Sequence, residues 1–177
     1  PNTKVFFGEV IPNPKNDVLD IEGVAGVAHD NGVPLIVDNT VATPYLVQPL
    51  KHGADLTMTS LTKYCGGHSD LLAGSVSGDA ALVRRLKQRR TTFGCHLDPH
   101  TSWLMLRSLE TLSLRTERSC SNAAAIARLV ADASPSWADL ADRIGGRRAA
   151  LIGMVLTLVA LVVGWRLATT VPHLYGV

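Results

Sequence analysis

Two extended runs in this chain end in groups that can do chemistry. Leu35-Ile36-Val37 leads into Asp38, and the run from Ala54 to Ser60 leads into Leu61-Thr62-Lys63. A lone carboxylate, two hydroxyls and an amine at a pair of strand ends can face a ring nitrogen, hold a phosphate and form a Schiff base. Pyridoxal 5'-phosphate (PLP) needs those parts, because its protonated pyridine ring is the electron sink for a carbanion at a substrate α-carbon. On this reading Asp38 keeps the ring nitrogen protonated through a short ion pair, and Lys63 attaches the cofactor and then shuttles protons. Ser60 and Thr62, just before the lysine, donate hydroxyl hydrogen bonds to the phosphate. Asn13 is a candidate donor to the ring's phenolic oxygen or to the substrate. Thr40, two residues past Asp38 in an extended segment, points the same way as the carboxylate. Taken singly, a lysine after a strand is usually a surface residue and an aspartate ending one usually opens a turn. Their joint order and spacing carry the argument.

These groups require elements to position them. Lys4 to Val10 reads as a short buried strand, and the prolines of Ile11-Pro12-Asn13-Pro14 force a loop. Asn16 or Asp17 caps a helix with Val18, Ile21, Val24, Ala25 and Ala28 on its apolar face, and Gly32 stops it. Val33 to Val37 is apolar on both faces, which suits a parallel sheet covered by helices. Asn39 to Pro49 is loop, Ala54 to Ser60 a strand and Gly74 to Ser77 another. Asp79 caps a basic helix to about Arg90. From Pro99 the pattern is helical through Trp103, Leu106, Leu109, Leu112 and Leu114, then through the alanine-rich 122–130. The alternation is that of an α/β fold, in which ligands gather at the carboxyl ends of strands. Asp38 and Lys63 both lie at such ends.

A length of 177 residues suits one domain, or one with an appendage. A net charge of +2 is too small to point to nucleic acid, and the cluster Arg84-Arg85-Leu86-Lys87-Gln88-Arg89-Arg90 reads as a solvated helix face. Cys65, Cys95 and Cys120 lie too far apart for a zinc knuckle or redox pair, so they read as reduced thiols of a cytoplasmic protein. No charged-then-apolar leader opens the chain at Pro1, so no signal peptide is expected. The segment Cys95-His96-Leu97-Asp98-Pro99-His100 holds metal-ligand types, but Pro99 breaks their helical spacing, and no metal is expected. His68 reads as a structural loop histidine. Gly66-Gly67 lacks the Lys-Ser/Thr of an ATP-binding loop.

Beyond Ser134-Pro135-Ser136 the composition changes. Residues 149–165 carry no charge; Arg147 and Arg148 flank one end, Trp165 and Arg166 the other. At about 1.5 Å per residue the run spans about 25 Å, somewhat short of a hydrocarbon core of about 30 Å. Snorkelling arginines and an interfacial tryptophan make up the difference, so a membrane-type helix is the expectation and a buried core helix the alternative.

Several stretches together resemble the PLP-dependent transsulfuration (Cys/Met metabolism) enzymes, the family of cystathionine γ-synthase, cystathionine γ- and β-lyases and methionine γ-lyase. They are Glu9-Val10-Ile11-Pro12-Asn13-Pro14, Val37-Asp38-Asn39-Thr40-Val41-Ala42-Thr43-Pro44, Ser60-Leu61-Thr62-Lys63-Tyr64 and Gly66-Gly67-His68-Ser69-Asp70. Leu97-Asp98-Pro99-His100 and Arg107-Ser108-Leu109-Glu110-Thr111-Leu112 continue the likeness to about Asp132. The resemblance implies part of the large domain of a type I, aspartate aminotransferase-like PLP-transferase, with an apolar helix appended. It makes Lys63 the Schiff-base lysine, Asp38 the ring-nitrogen partner, Ser60 and Thr62 phosphate ligands, and Asn13 a cofactor or substrate contact. Gly66-Gly67-His68-Ser69-Asp70 looks more like the cystathionine synthase and lyase branch than the O-acetylhomoserine sulfhydrylase branch. The implied substrate is a small amino acid and the implied assembly a homotetramer.

The likeness begins mid-domain. The family's glycine-rich phosphate loop, the tyrosine stacked on the ring, the tyrosine–arginine pair reaching a neighbour's phosphate and the carboxylate-binding arginine of the small domain have no counterpart in this sequence. Arg107 and Arg115 fall in the wrong segment to replace that arginine. The stretch from Trp137 to Arg148 resembles a cytoplasmic loop of major facilitator transporters, Gly-x-x-x-Asp-Arg-x-Gly-Arg-Arg. The expected organisation is therefore a partial PLP-binding domain over 1–132, a polar linker over 133–148 and an apolar membrane-type helix and tail over 149–177. The expected function is γ-replacement or γ-elimination on homoserine-derived or cystathionine-like amino acids. The alternatives are a catalytically inactive fusion remnant and a binding module anchored at a membrane through 149–165.

Overall fold

The structure, a computed structural model, describes residues 2–132. The elements are β1 (Phe6–Glu9), α1 (Ile21–Asp30), β2 (Leu35–Asp38), the single turn α2 (Thr43–Leu46), a 3-10 turn (Pro49–His52), β3 (Leu56–Ser60), β4 (Gly74–Gly78), α3 (Ala80–Phe93), α4 (Pro99–Leu109) and α5 (Leu112–Asp132). The strands lie in the order β1-β2-β3-β4. The first three run parallel, with Glu9 beside Asp38 and Asp38 beside Met58, so their carboxyl ends form one edge. β4 returns antiparallel, pairing Ser60 with Gly74. A compact unit ends at Cys120, and all contacts below belong to it.

The α/β alternation is as the sequence indicates, and the apolar runs explain why. Leu35 and Val37 are fully buried on the face that receives Ile21, Ala25 and Ala28 of α1, with Val10, Ala42 and Ala54 completing the core. Burying such a side chain contributes about 1.5–3 kcal/mol. A second cluster of Cys65, Leu71, Met105 and Leu112 lies under the loop that carries Lys63.

Some elements differ from the expectation. α1 starts later, capped by Asp20, whose carboxylate accepts the Gly23 amide at 3.0 Å. The Leu19 amide donates to Val10 O at 3.0 Å, which holds the preceding segment along the end of β1 and leaves Val18 exposed. β1 is the edge strand and, contrary to expectation, is not buried; Phe6 and Phe7 are exposed. The loop from Asn39 contains α2, closed by Val47 N to Thr43 O. The helical run from Pro99 breaks after Leu109 into α4 and α5, and on α4 the buried side chains are Met105 and Ser108, while Trp103 and Leu106 are exposed.

Asp79 caps α3 as expected, accepting the Ala81 and Leu82 amides, and α3 buries none of its side chains. The expected linker over 133–148 and apolar helix over 149–165 lie outside the described residues. Among the described residues no helix is long and apolar enough to cross a membrane.

Candidate active site

Asp38 closes β2 with a half-buried carboxylate. Its Oδ1 accepts two hydrogen bonds from Thr40, one from the amide at 2.9 Å and one from the hydroxyl at 2.6 Å. The same hydroxyl accepts the Ser60 amide at 2.8 Å. The Thr40 hydroxyl has one proton, and Asp38 receives it; its lone pair serves β3. The ends of β2 and β3 are thereby joined through one buried side chain. The other Asp38 oxygen, Oδ2, accepts nothing from the described residues, and neither does the Ser60 hydroxyl bond to any of them.

The backbone supports this arrangement. Asn39 N donates to Met58 O at 2.9 Å and Asn39 Nδ2 to Val47 O at 2.8 Å, holding the loop after β2 against both neighbours. Tyr45 donates its hydroxyl to Glu117, tying α2 to the start of α5, and that bond raises the tyrosine pKa.

Beyond Ser60 the chain turns sharply. Lys63 N donates to Ser60 O at 3.2 Å, Gly66 N to Leu61 O at 2.8 Å and Gly67 N to Lys63 O at 2.7 Å. The lysine backbone is held from both sides while its side chain is exposed and makes no ion pair among the described residues. Thr62 is occupied otherwise. Its hydroxyl donates to Ala73 O at 3.2 Å and accepts the Ala73 amide at 3.0 Å, pinning the turn to the chain entering β4. His68 Nδ1 bonds Gly66 O at 2.8 Å, which requires the proton on that nitrogen and gives the ring a loop-closing role.

Asp38, Thr40 and Ser60 thus form one hydrogen-bonded unit. Lys63 and Thr62 line an open groove of about 1260 Å³ with Leu71, Asp98, Thr101 and Arg118, and the Asp38 unit is not part of its wall. Asn13 lies exposed in the loop after β1 with no side-chain hydrogen bond to the described residues. Asp98 caps α4, accepting the Thr101 amide at 3.0 Å, and its pKa is lowered by the Thr101 hydroxyl and amide. The contact that sequence reasoning missed is Arg115, which donates to the carbonyls of Tyr64 and Cys65. Nothing in the local sequence signals it, because the partners are fifty residues apart.

The donor set suits PLP. At or just past the ends of two adjacent parallel strands lie a carboxylate oxygen and a hydroxyl with no hydrogen bond to the described residues, and an exposed amine, the group types such a cofactor requires. Residues 1–136 match the family model described as Cys/Met metabolism PLP-dependent enzyme. The chain belongs to that family.

Its relatives in the Cys/Met metabolism family are PLP-dependent lyases and synthases of sulfur amino acids. The chain is 44% identical over 133 residues to an L-methionine gamma-lyase of Pseudomonas putida, covering 74% of this chain and 33% of the relative. It is 45% identical over 128 residues to a cystathionine gamma-synthase/O-acetylhomoserine (thiol)-lyase of Bacillus subtilis, covering 72% and 34%. Among solved structures it resembles cystathionine gamma-lyase from Lactobacillus plantarum complexed with L-serine, with a TM-score of 0.61, 36% identity and coverage of 63% and 30%. A methionine gamma lyase from Micromonospora echinospora also gives a TM-score of 0.61, with 39% identity, 64% of this chain and 32% of that one. The chain spans about a third of the length of these relatives.

Proposed function

We propose that this chain carries the cofactor-attaching face of a transsulfuration-type PLP enzyme acting by γ-replacement or γ-elimination on homoserine-derived or cystathionine-like amino acids. The observation that carries the reading is the Asp38–Thr40–Ser60 unit. It fixes a carboxylate with one oxygen free at the strand edge from which Lys63 emerges. When bound, the cofactor supplies an electron sink for the carbanion at the substrate α-carbon.

In this reading each side chain has one task. Lys63 supplies the amine that attaches the cofactor and the base that takes the α-proton. Asp38 Oδ2 accepts the ring N–H, and Thr40 orients the carboxylate from the other side. Ser60 donates its hydroxyl to the phosphate. Thr62 serves the same phosphate only by giving up its bond to Ala73 O, so Ser60 is the stronger anchor. Asn13 reaches the cofactor or substrate from the β1 loop. Residues 1–132 form the enzyme portion, 133–148 a linker and 149–177 an apolar appendage. Three unpaired thiols at Cys65, Cys95 and Cys120 suit a reducing, cytoplasmic setting.

The test is to add PLP to the purified chain, reduce with borohydride and map the modified peptide. Label concentrated on Lys63, absent in K63A and reduced in D38N, is the expected result. Label spread evenly over exposed lysines such as Lys51 and Lys87 would overturn the reading.

A further inference from the structure

We propose that Arg115 is a positioning residue for Lys63, holding the backbone after the lysine so that its amine stays at the groove. The inference rests on the reading that Lys63 attaches PLP. Arg115 sits in the first turn of α5, where its amide donates to Thr111 O at 3.0 Å. Its guanidinium donates from Nη1 to Tyr64 O at 2.6 Å, and from Nη2 to Cys65 O at 3.0 Å and Ser108 O at 2.9 Å. Nε donates to the Thr111 hydroxyl at 3.1 Å. The first two acceptors are the two carbonyls immediately following Lys63. The others belong to the end of α4 and the link into α5.

One planar cation therefore clamps the lysine turn to the helices beneath it. A lysine could not replace it, because a single ammonium lacks the fixed fork that spans these acceptors. Hydrogen bonds from a charged donor are the strong ones, and two of them reach the Tyr64 and Cys65 carbonyls, on the far side of Lys63 from the Thr62–Ala73 pin. Cys65 is 1% exposed, so its carbonyl needs a partner from within the protein. Burial pushes the Cys65 thiol pKa up, and Arg115 opposes that shift, which is consistent with the cation lying close by.

Gly67 supplies an independent observation. Its φ is +74°, and a β-carbon there would overlap the Arg115 guanidinium. Glycine adopts that backbone without strain and leaves the cation its place. Gly67 N is also the donor to Lys63 O, so the Arg115 clamp and the turn's own closure meet at one residue. The groove that Lys63 lines is walled in part by Arg115. Movement of this side chain thus alters both the lysine backbone and the space its amine enters.

The experiment compares the full chain with R115M and R115K. Borohydride-trapped PLP is quantified at Lys63 and at Lys51, and exchange is measured at the Gly66 and Gly67 amides. Loss of these charged hydrogen bonds is expected to lower trapping at Lys63 by about tenfold or more, with Lys51 unchanged. Amide exchange at Gly66 and Gly67 rises by a similar factor while that of Ala28 in α1 stays put. R115K recovers little of either. Wild-type trapping at Lys63 in R115M, or unchanged exchange at Gly66 and Gly67, would overturn the proposal. Absence of trapping at Lys63 in the unaltered chain would instead overturn the attachment reading, and amide exchange would still judge the clamp. Should R115M fail to fold, R115K carries the same comparison.

Discussion

Ser60 and Thr40 are joined across β3 and β2 by one hydrogen bond, the Ser60 amide donating to the Thr40 hydroxyl at 2.8 Å. Because that hydroxyl donates in turn to Asp38 at 2.6 Å, the bond couples the strand carrying the carboxylate to the strand leading to Lys63. T40V keeps the shape and removes both interactions. Leaving the Ser60 amide without an acceptor is expected to destabilise the unit by about 1–3 kcal/mol. Urea unfolding measures it, and PLP trapping at Lys63 should fall in parallel. Unchanged trapping with normal stability would show that the carboxylate does not need its threonine.

The His29–Asp55 pair sets an acid limit. Burial pushes the Asp55 carboxyl up, but His29 at 2.9 Å and the Leu35 amide at 2.8 Å outweigh it and leave its pKa below the ordinary value. A carboxyl depressed in the folded state stabilises at pH above its unfolded pKa of about 3.9, and that contribution disappears as pH falls through the folded value. Chemical denaturation from about pH 6 to about pH 3 should show the loss in the natural chain and a flatter profile in D55N.

G67A tests the lysine turn without removing a charged group. An alanine in the left-handed region costs about 1–2 kcal/mol, and displacement of Arg115 adds to it. Thermal unfolding should show a lower midpoint, and amide exchange at residue 67 should rise. G94A, at the same positive φ of 74° but with open space around its β-carbon, is the comparison that separates backbone strain from the lost clamp.

Met105 is the α4 side chain driven into the cluster beneath the lysine loop, with Cys65, Leu71 and Leu112 around it. M105A opens a cavity there and is expected to lower stability by about 2–5 kcal/mol. M105L, which conserves volume, should lose less than about 1.5 kcal/mol. Equal losses in the two variants would mean that this cluster is not packed as described.

Much of this was legible along the chain. The apolar runs ending at Asp38 and Ser60, the caps at Asp79 and Asp98 and the stop at Gly32 are local signals, and they mark the elements within a few residues. Asn16 and Asp17 are as good caps as Asp20 in isolation, so the sequence does not fix where α1 starts; the bond from Leu19 N to Val10 O keeps the preceding residues out of the helix and leaves Asp20 to cap it. Trp103 and Leu106 are as apolar as Met105, so the pattern along α4 does not tell which side is covered; contact with the lysine loop decides it.

By itself the sequence determined which chemical groups follow β2 and β3 and in what order, because apolar patterning and strand ends depend on neighbours a few residues away. Tertiary structure alone decided that Thr40 bridges Asp38 to Ser60, that Thr62 turns to Ala73 and that Arg115 grips the carbonyls after Lys63. Those bonds join residues distant in the chain, and a hydrogen bond exists only where packing brings donor and acceptor to about 3 Å.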